Sequence, residues 1–269
     1  MNRRSFLATG VGSIAGATLV AGCIGGILGS EGGSGDRTLP GTTPDQERSR
    51  AGLAPNPESV DPTPIDVDGL DTTETFGIEV PLLPIDVAYD WYRPQEARFV
   101  DARGLSQYEA SHVSGAVHSP APSGYETDDP TEAWQQSGRI VTYCTCPHHL
   151  SSERAAVLID AGYEAVFALD EGFGEWYDRE YPMGTSNAST TIGPLRRVSG
   201  SVDPAYAGER VQLHHAASEQ REPAVIEGDG SFEVTFRFVE VESEDTLILE
   251  TPAGTRRGTV AEMVEETAR

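Results

Sequence analysis

From Ile78 to about Pro182, short apolar runs alternate with stretches of helical period. Phe99-Val100-Asp101, Ala116-Val117-His118, Ile140–Cys144 and Ala165–Leu169 have the length and residue types of strands. Between them, Gln107–His112, Thr131–Ser137, Glu153–Ala161 and Phe173–Arg179 read as helices or helical turns; Gly162 ends the third and Pro182 stops the last. Strands and helices exchanging over short links predict an α/β fold with a parallel sheet flanked by helices.

The pattern changes after Gly184. Val198–Val202, Arg210–His214, Ala224–Ile226, Ser231–Val241 and Thr246–Glu250 are short strand candidates, with Asp229-Gly230 as a hairpin signal. Strands at that spacing predict a small all-β sandwich, with a possible helix over 260–268. Between Ile24 and Phe76, Gly, Ser, Pro, Thr and Asp dominate without sustained apolar period, which predicts a disordered tether. The expected boundaries are a leader over 1–23, a tether over 24–77, the α/β domain over 78–184, a hinge over 185–191 and the β domain over 192–269.

The leader carries Arg3-Arg4-Ser5-Phe6-Leu7, an apolar stretch, and Leu19-Val20-Ala21-Gly22-Cys23. This is a twin-arginine export pattern ending in a lipobox, so the expected location is the cell surface, with lipid on Cys23 as the membrane anchor. Charge sharpens the picture. The formal net charge is −24, and all 19 basic residues are arginine. Such a surface repels nucleic acid, so no nucleic-acid partner is expected. Dense carboxylates without lysine resemble the proteins of salt-loving archaea.

The chemistry concentrates in Tyr143-Cys144-Thr145-Cys146-Pro147-His148-His149-Leu150-Ser151-Ser152. A strand running into a cysteine and then a helix puts a thiol where backbone N–H groups and the helix dipole favour a thiolate. Period two turns Cys144 and Cys146 to the same side of the strand.

These residues and their neighbours resemble the rhodanese (sulfurtransferase) family. Val100-Asp101-Ala102-Arg103, then His112-Val113-Ser114-Gly115-Ala116-Val117-His118-Ser119-Pro120, is similar to the family's first signature. Ala161-Gly162-Tyr163-Glu164-Ala165-Val166 and Leu169-Asp170-Glu171-Gly172-Phe173-Gly174-Glu175-Trp176 are similar to its closing one. The resemblance implies a rhodanese-like sheet and a cysteine that carries sulfane sulfur as a persulfide. Counting the family's loop from Cys146 reaches Ser151, Ser152 and Ala155-Ala156 without a gap, whereas Cys144 needs two extra residues; Cys146 is the expected nucleophile and Cys144 the alternative. Pro147, His148, His149, Leu150, Ser151 and Ser152 would form the anion-stabilising loop, with the serine hydroxyls capping the helix. Protonated His148 and His149 would replace a cation that the family's loop often carries. By the same resemblance, Asp101 and Arg103 are expected to form a structural salt bridge or to hydrogen-bond to the loop rather than to act in catalysis, and Glu153 and Arg154 to be solvated. Donors would be thiosulfate or polysulfide and acceptors a thiol or cyanide; no cofactor or metal is implied.

Two other readings carry weight. Cys144, Cys146, His148 and His149 offer soft and imidazole ligands suited to copper or zinc, although not at the spacing of zinc knuckles. The Cys-x-Cys pair could also cycle as a disulfide in a non-catalytic or redox binding module. A phosphatase is disfavoured, since neither cysteine is followed by arginine at the required spacing.

Overall fold

The structure is a computed structural model that describes residues 50–145, 147–186, 193–215, 217–218 and 220–265. Its first sheet starts with β1 (Thr72–Thr75) and β2 (Ile78–Leu83), an antiparallel hairpin turning through Phe76 and Gly77. Both turn residues take positive φ, 55° and 77°, as a two-residue primed turn requires. Then follow α1 (Ile85–Tyr92), β3 (Ala97–Asp101), α2 (Leu105–Ala110), β4 (His112–Val113), β5 (Val117–His118) and β6 (Arg139–Tyr143). The half ends with α3 (His149–Asp160), β7 (Ala165–Leu169), α4 (Gly172–Asp178) and β8 (Met183–Gly184).

The six-stranded order is β1-β2-β7-β6-β3-β5, and every pairing after the first hairpin is parallel. Alternation along the strands builds a core on each face. Phe99, Val141 and Tyr143 join Trp91, Tyr92, Phe173 and Trp176 on one side. Val100, Ile140, Val166 and Ala168 meet Ala155, Ala156 and Leu158 of α3 on the other.

The second half contains β9 (Arg196–Ser201), β10 (Arg210–His215), β11 (Gln220–Val225), β12 (Ser231–Phe236), β13 (Thr246–Thr251), β14 (Gly254–Thr259) and α5 (Val260–Glu265). A four-stranded antiparallel sheet, β11-β10-β13-β14, and a ribbon, β12-β9, share one core. Val211, Leu213, Leu247 and Leu249 of the sheet meet Val198, Phe232, Val234 and Phe236 of the ribbon, with Met263 of α5 among them. The two halves lie within one compact unit, Thr42–Arg269.

Two expectations change here. The tether does not run to residue 77 as an unpacked chain. From Gly52 on, the segment is hydrogen-bonded to the α/β half through Gly52 N to Gly115 O (3.0 Å) and Phe99 N to Gly52 O (2.7 Å). Ala54 is buried in the core, and Ile65 and Leu70 pack against it. A few well-placed apolar residues suffice where the domain supplies the remaining surface, so low average hydropathy misleads. The remainder of the tether, the leader with Cys23, and most of the hinge lie outside the described residues.

Asp229-Gly230 makes a turn but not a hairpin. Gly230 takes φ +86°, and a Cβ there would lie 2.3 Å from the Val202 carbonyl oxygen. The turn hands the chain from β11 in the larger sheet to β12, which pairs with β9 instead. Among the described residues, no helix is long and apolar enough to cross a membrane.

Candidate functional site

The loop between β6 and α3 leaves the carboxyl end of a central parallel strand, the edge where open α/β sheets place their sites. Its start is fixed by three backbone hydrogen bonds. Ala102 N donates to Tyr143 O (2.9 Å), Phe173 N to Cys144 O (2.7 Å) and Gly174 N to Thr145 O (3.2 Å). The two cited signatures therefore bracket the cysteine loop from neighbouring strand ends.

Asp101 and Arg103 form a bidentate ion pair, Nε to Oδ1 at 2.9 Å and Nη2 to Oδ2 at 2.6 Å, with both side chains essentially inaccessible. Arg103 Nη2 also donates to Ser111 O (2.6 Å), and its guanidinium lies 4.2 Å from the Phe173 ring centroid. Burial pulls the Arg103 pKa down, but the Asp101 carboxylate outweighs it and holds the group above its ordinary value. A charge so buried needs such a partner.

Cys144 is fully buried in a small cluster with Ala102 and Leu150. Its sulfur lies 3.5 Å from Ser151 Oγ, and the N–H groups of Leu150 and Ser151 also face it. Burial first, then the negative charge of Glu222, push the thiol up to about 12 against those donors. It is a protonated thiol at neutral pH. Cys146 lies outside the described residues.

Helix α3 begins at His149, four residues before the expected start, after His148 in the left-handed region at φ +36°. Pro147 is exposed, whereas Leu150, Ser151 and Ser152 are buried. The serines are inside the helix and do not cap it. Ser152 Oγ donates back to His148 O and to His149 O, the latter at 3.0 Å, the habit of hydroxyl residues within helices. His148 Nδ1 lies 3.1 Å from Asp170 Oδ1. His149 is not a replacement cation: burial, then His148 and Arg210, lower its pKa to about 4.

Glu153 and Arg154 are the largest departure. Both are buried, at 7% and 3% exposure. Glu153 Oε1 meets Arg210 Nη1 of β10 at 2.5 Å, and its Oε2 lies 3.7 Å from Arg221 Nη2 of β11. Arg154 reaches Ser119, Asp129 and Thr131. What reads as a solvated helix face is covered by the β half on one side and by the 119–131 loop on the other.

The site also gathers residues that sequence reasoning missed. Gln107 Nε2 lies 3.3 Å from Thr145 Oγ1 and 3.4 Å from Glu222 Oε1 on β11. A cleft of about 560 Å³ opens beside them, lined by Arg103, Gly104, Leu105, His118, Leu150 and Arg221 among others. Gln107 follows the Asp-x-Arg motif closely enough to have drawn attention; Glu222, some 75 positions beyond the cysteine loop, offers no local signal. Among the described residues, no cluster of three or more His, Cys, Asp or Glu side chains is arranged to hold a metal ion.

The family model described as the rhodanese-like domain matches residues 86–179. That segment is a rhodanese-like domain. A thiosulfate sulfurtransferase, GlpE, from Vibrio cholerae is 26% identical over 105 residues, covering 39% of this chain and 94% of the relative. Among solved structures, the BH2092 protein of Bacillus halodurans is 22% identical with a TM-score of 0.34, over 39% of this chain and 77% of that one. The rhodanese-like domain of Alr3790 from Anabaena sp. is 24% identical, also with a TM-score of 0.34, over 39% and 79%.

Proposed function

We propose that the protein is a sulfurtransferase that moves sulfane sulfur through a persulfide on Cys146. The observation that carries this reading is the rhodanese-like cysteine loop, whose first residues are held by N–H groups of Ala102, Phe173 and Gly174 at the sheet's carboxyl edge. The buried, protonated state of Cys144 favours its neighbour as the reactive thiol. The N–H groups of Leu150 and Ser151 in the first turn of α3 face the Cys144 sulfur, which shows that this helix start offers a sulfur atom in the loop donors of the kind that stabilise an anion.

In the forward step the Cys146 thiolate attacks the outer sulfur of the donor. A bond forms between the two sulfurs, and the donor's S–S bond breaks with its electron pair leaving on sulfite when thiosulfate is used. The acceptor, a thiolate or cyanide, then attacks the outer persulfide sulfur and releases the Cys146 thiolate. The anionic persulfide keeps the charge of the thiolate it replaces, so one set of donors serves both states. The leader supports export by the twin-arginine route and anchoring through lipid on Cys23, with the domain working at the cell surface.

Mass spectrometry of the intact protein, and of the peptide spanning Cys144 and Cys146, tests the chemistry. After exposure to thiosulfate or polysulfide, one added sulfur is expected on Cys146, lost in Cys146→Ser and retained in Cys144→Ser. An unmodified Cys146 that still reacts with iodoacetamide would sink the proposal.

A further inference from the structure

The cleft of about 560 Å³ is lined by both halves of the molecule. The α/β half contributes Ala102, α2, the 118–125 loop and Leu150, and the β10–β11 hairpin contributes Ser218 and Arg221. Ala102 and Leu150 are buried beneath it, whereas Leu105 and Tyr125, 52% and 41% exposed, leave apolar surface for a ligand to cover. A cavity of this size lies in the range of sites for small organic molecules. Cyanide or thiosulfate would fill only a small part of it.

Two polar groups of the lining are already engaged. Arg103 is paired with Asp101, and His118 uses both nitrogens, Nε2 with Arg103 O at 2.7 Å and Nδ1 with the Tyr125 hydroxyl. Two charges remain for a ligand. Arg221 donates from Nη2 to Ala121 O at 2.6 Å, and the same nitrogen lies 3.7 Å from Glu153 Oε2, beyond hydrogen-bonding reach. Arg210 holds the other Glu153 oxygen at 2.5 Å, so two guanidinium groups share one carboxylate and the trio carries a net positive charge. Among the described residues, Nε and Nη1 of Arg221 make no hydrogen bond. Glu109 is half-buried on α2, and among the described residues its carboxylate has neither hydrogen bond nor ion pair. Burial first, then Asp129 and Glu109, raise the Tyr125 hydroxyl, so the Glu109 charge is felt in the cleft. Arg221 and Glu109 line one cavity and do not pair with each other.

We propose that this cleft binds a zwitterionic ligand of the amino-acid class, a free amino acid or short peptide with an apolar side chain. Its carboxylate meets the free donors of Arg221, its ammonium group meets Glu109, and its side chain covers Leu105 and Tyr125. A guanidinium fork matches a carboxylate with two parallel N–H bonds. Opposite charges kept apart in one cleft favour a ligand that carries both over one that carries either alone. The assignment goes beyond sulfur transfer and does not depend on it.

Titration calorimetry of the full chain tests it with phenylalanine, the dipeptide Leu-Phe, and two fragments that each lack one charge, 3-phenylpropionate and 2-phenylethylamine. Potassium chloride at about 0.5 M screens the diffuse field of the acidic surface. In the parent protein, phenylalanine or Leu-Phe is expected to bind one to one, roughly tenfold tighter than either fragment. Arg221→Gln should weaken the zwitterion and 3-phenylpropionate roughly tenfold and leave 2-phenylethylamine unchanged. Glu109→Gln should do the reverse, weakening the zwitterion and 2-phenylethylamine only. The fragment comparison needs no variant, so it stands even if Arg221→Gln folds poorly. Absence of binding by both phenylalanine and Leu-Phe, fragments as tight as the zwitterion, or indifference to both substitutions would overturn the assignment. Sulfur plays no part in these titrations: a protein that binds the zwitterion but takes up no sulfur loses the persulfide reading and keeps the cleft.

Discussion

At the scale of single residues, His149 is the group whose environment most changes its chemistry. Its ring is partly buried between the two halves, Nδ1 has no hydrogen-bond partner, and its pKa is lowered to about 4 from 6.5. The unfolded chain therefore takes up this proton before the folded one does. Stability from the neutral ring is fully present above about pH 6.5 and is lost as pH falls from there toward 4, by up to about 3 kcal/mol. His149→Gln should flatten the acid slope of Tm across that window relative to the parent; equal slopes would show that the ring titrates as a free imidazole. Residue chemistry was legible in the sequence where it depends on local spacing. Asp101 and Arg103 stand two apart at a strand end, and their pairing followed from the motif. Glu153 and Arg154 were misjudged because their polarity implies solvent, yet Arg210 and Arg221 of a distant hairpin meet Glu153, while Ser119, Asp129 and Thr131 enclose Arg154; His149 was misjudged because burial, not spacing, sets its charge.

At the scale of elements, the strands of the parallel sheet stood out because their branched and aromatic residues are continuous; β7 spans Ala165–Leu169 as expected. The start of α3 did not, since Pro147-His148-His149-Ser-type composition reads as loop and the helix is stabilised there by what packs on Leu150 and Ser151. The short β4, β8 and the polar β14 carry too few apolar positions to register. The strap formed by residues 50–55 escaped notice too, and it can be tested through a glycine. Gly115 takes φ +87°, and a Cβ there would lie 2.1 Å from the Leu53 carbonyl oxygen. Gly77 takes φ +77° with open space around it. Gly77→Ala should cost about 1 kcal/mol, from backbone strain alone. Gly115→Ala should cost about 2–3 kcal/mol, because the strap must also move. It should in addition expose the chain after Arg50 to trypsin. Equal losses in denaturant unfolding, with unchanged cleavage at Arg50, would mean that the strap contributes nothing to the fold.

At the scale of the whole molecule, a net charge of −24 opposes the compact state, and composition alone made that visible. How the halves meet was not visible, because it depends on one hairpin docking on one helix. The two facts act together on salt dependence. Added salt shortens the Debye length from about 10 Å at 0.1 M to about 3 Å at 1 M, so repulsion among exposed carboxylates fades over that range. The pairs that hold the site, Asp101–Arg103 and Asp129–Arg154, are inaccessible and feel little of this screening. Exposed pairs such as Arg197–Glu233 contribute little to lose. Relief of repulsion should therefore dominate, and Tm should rise with potassium chloride, most steeply below about 1 M. Choline chloride at equal ionic strength should give the same rise if screening is the cause. Scanning calorimetry in both salts decides it: a flat or falling Tm would mean that the carboxylates are spread too widely to repel, and a rise with only one salt would point to specific ion binding instead.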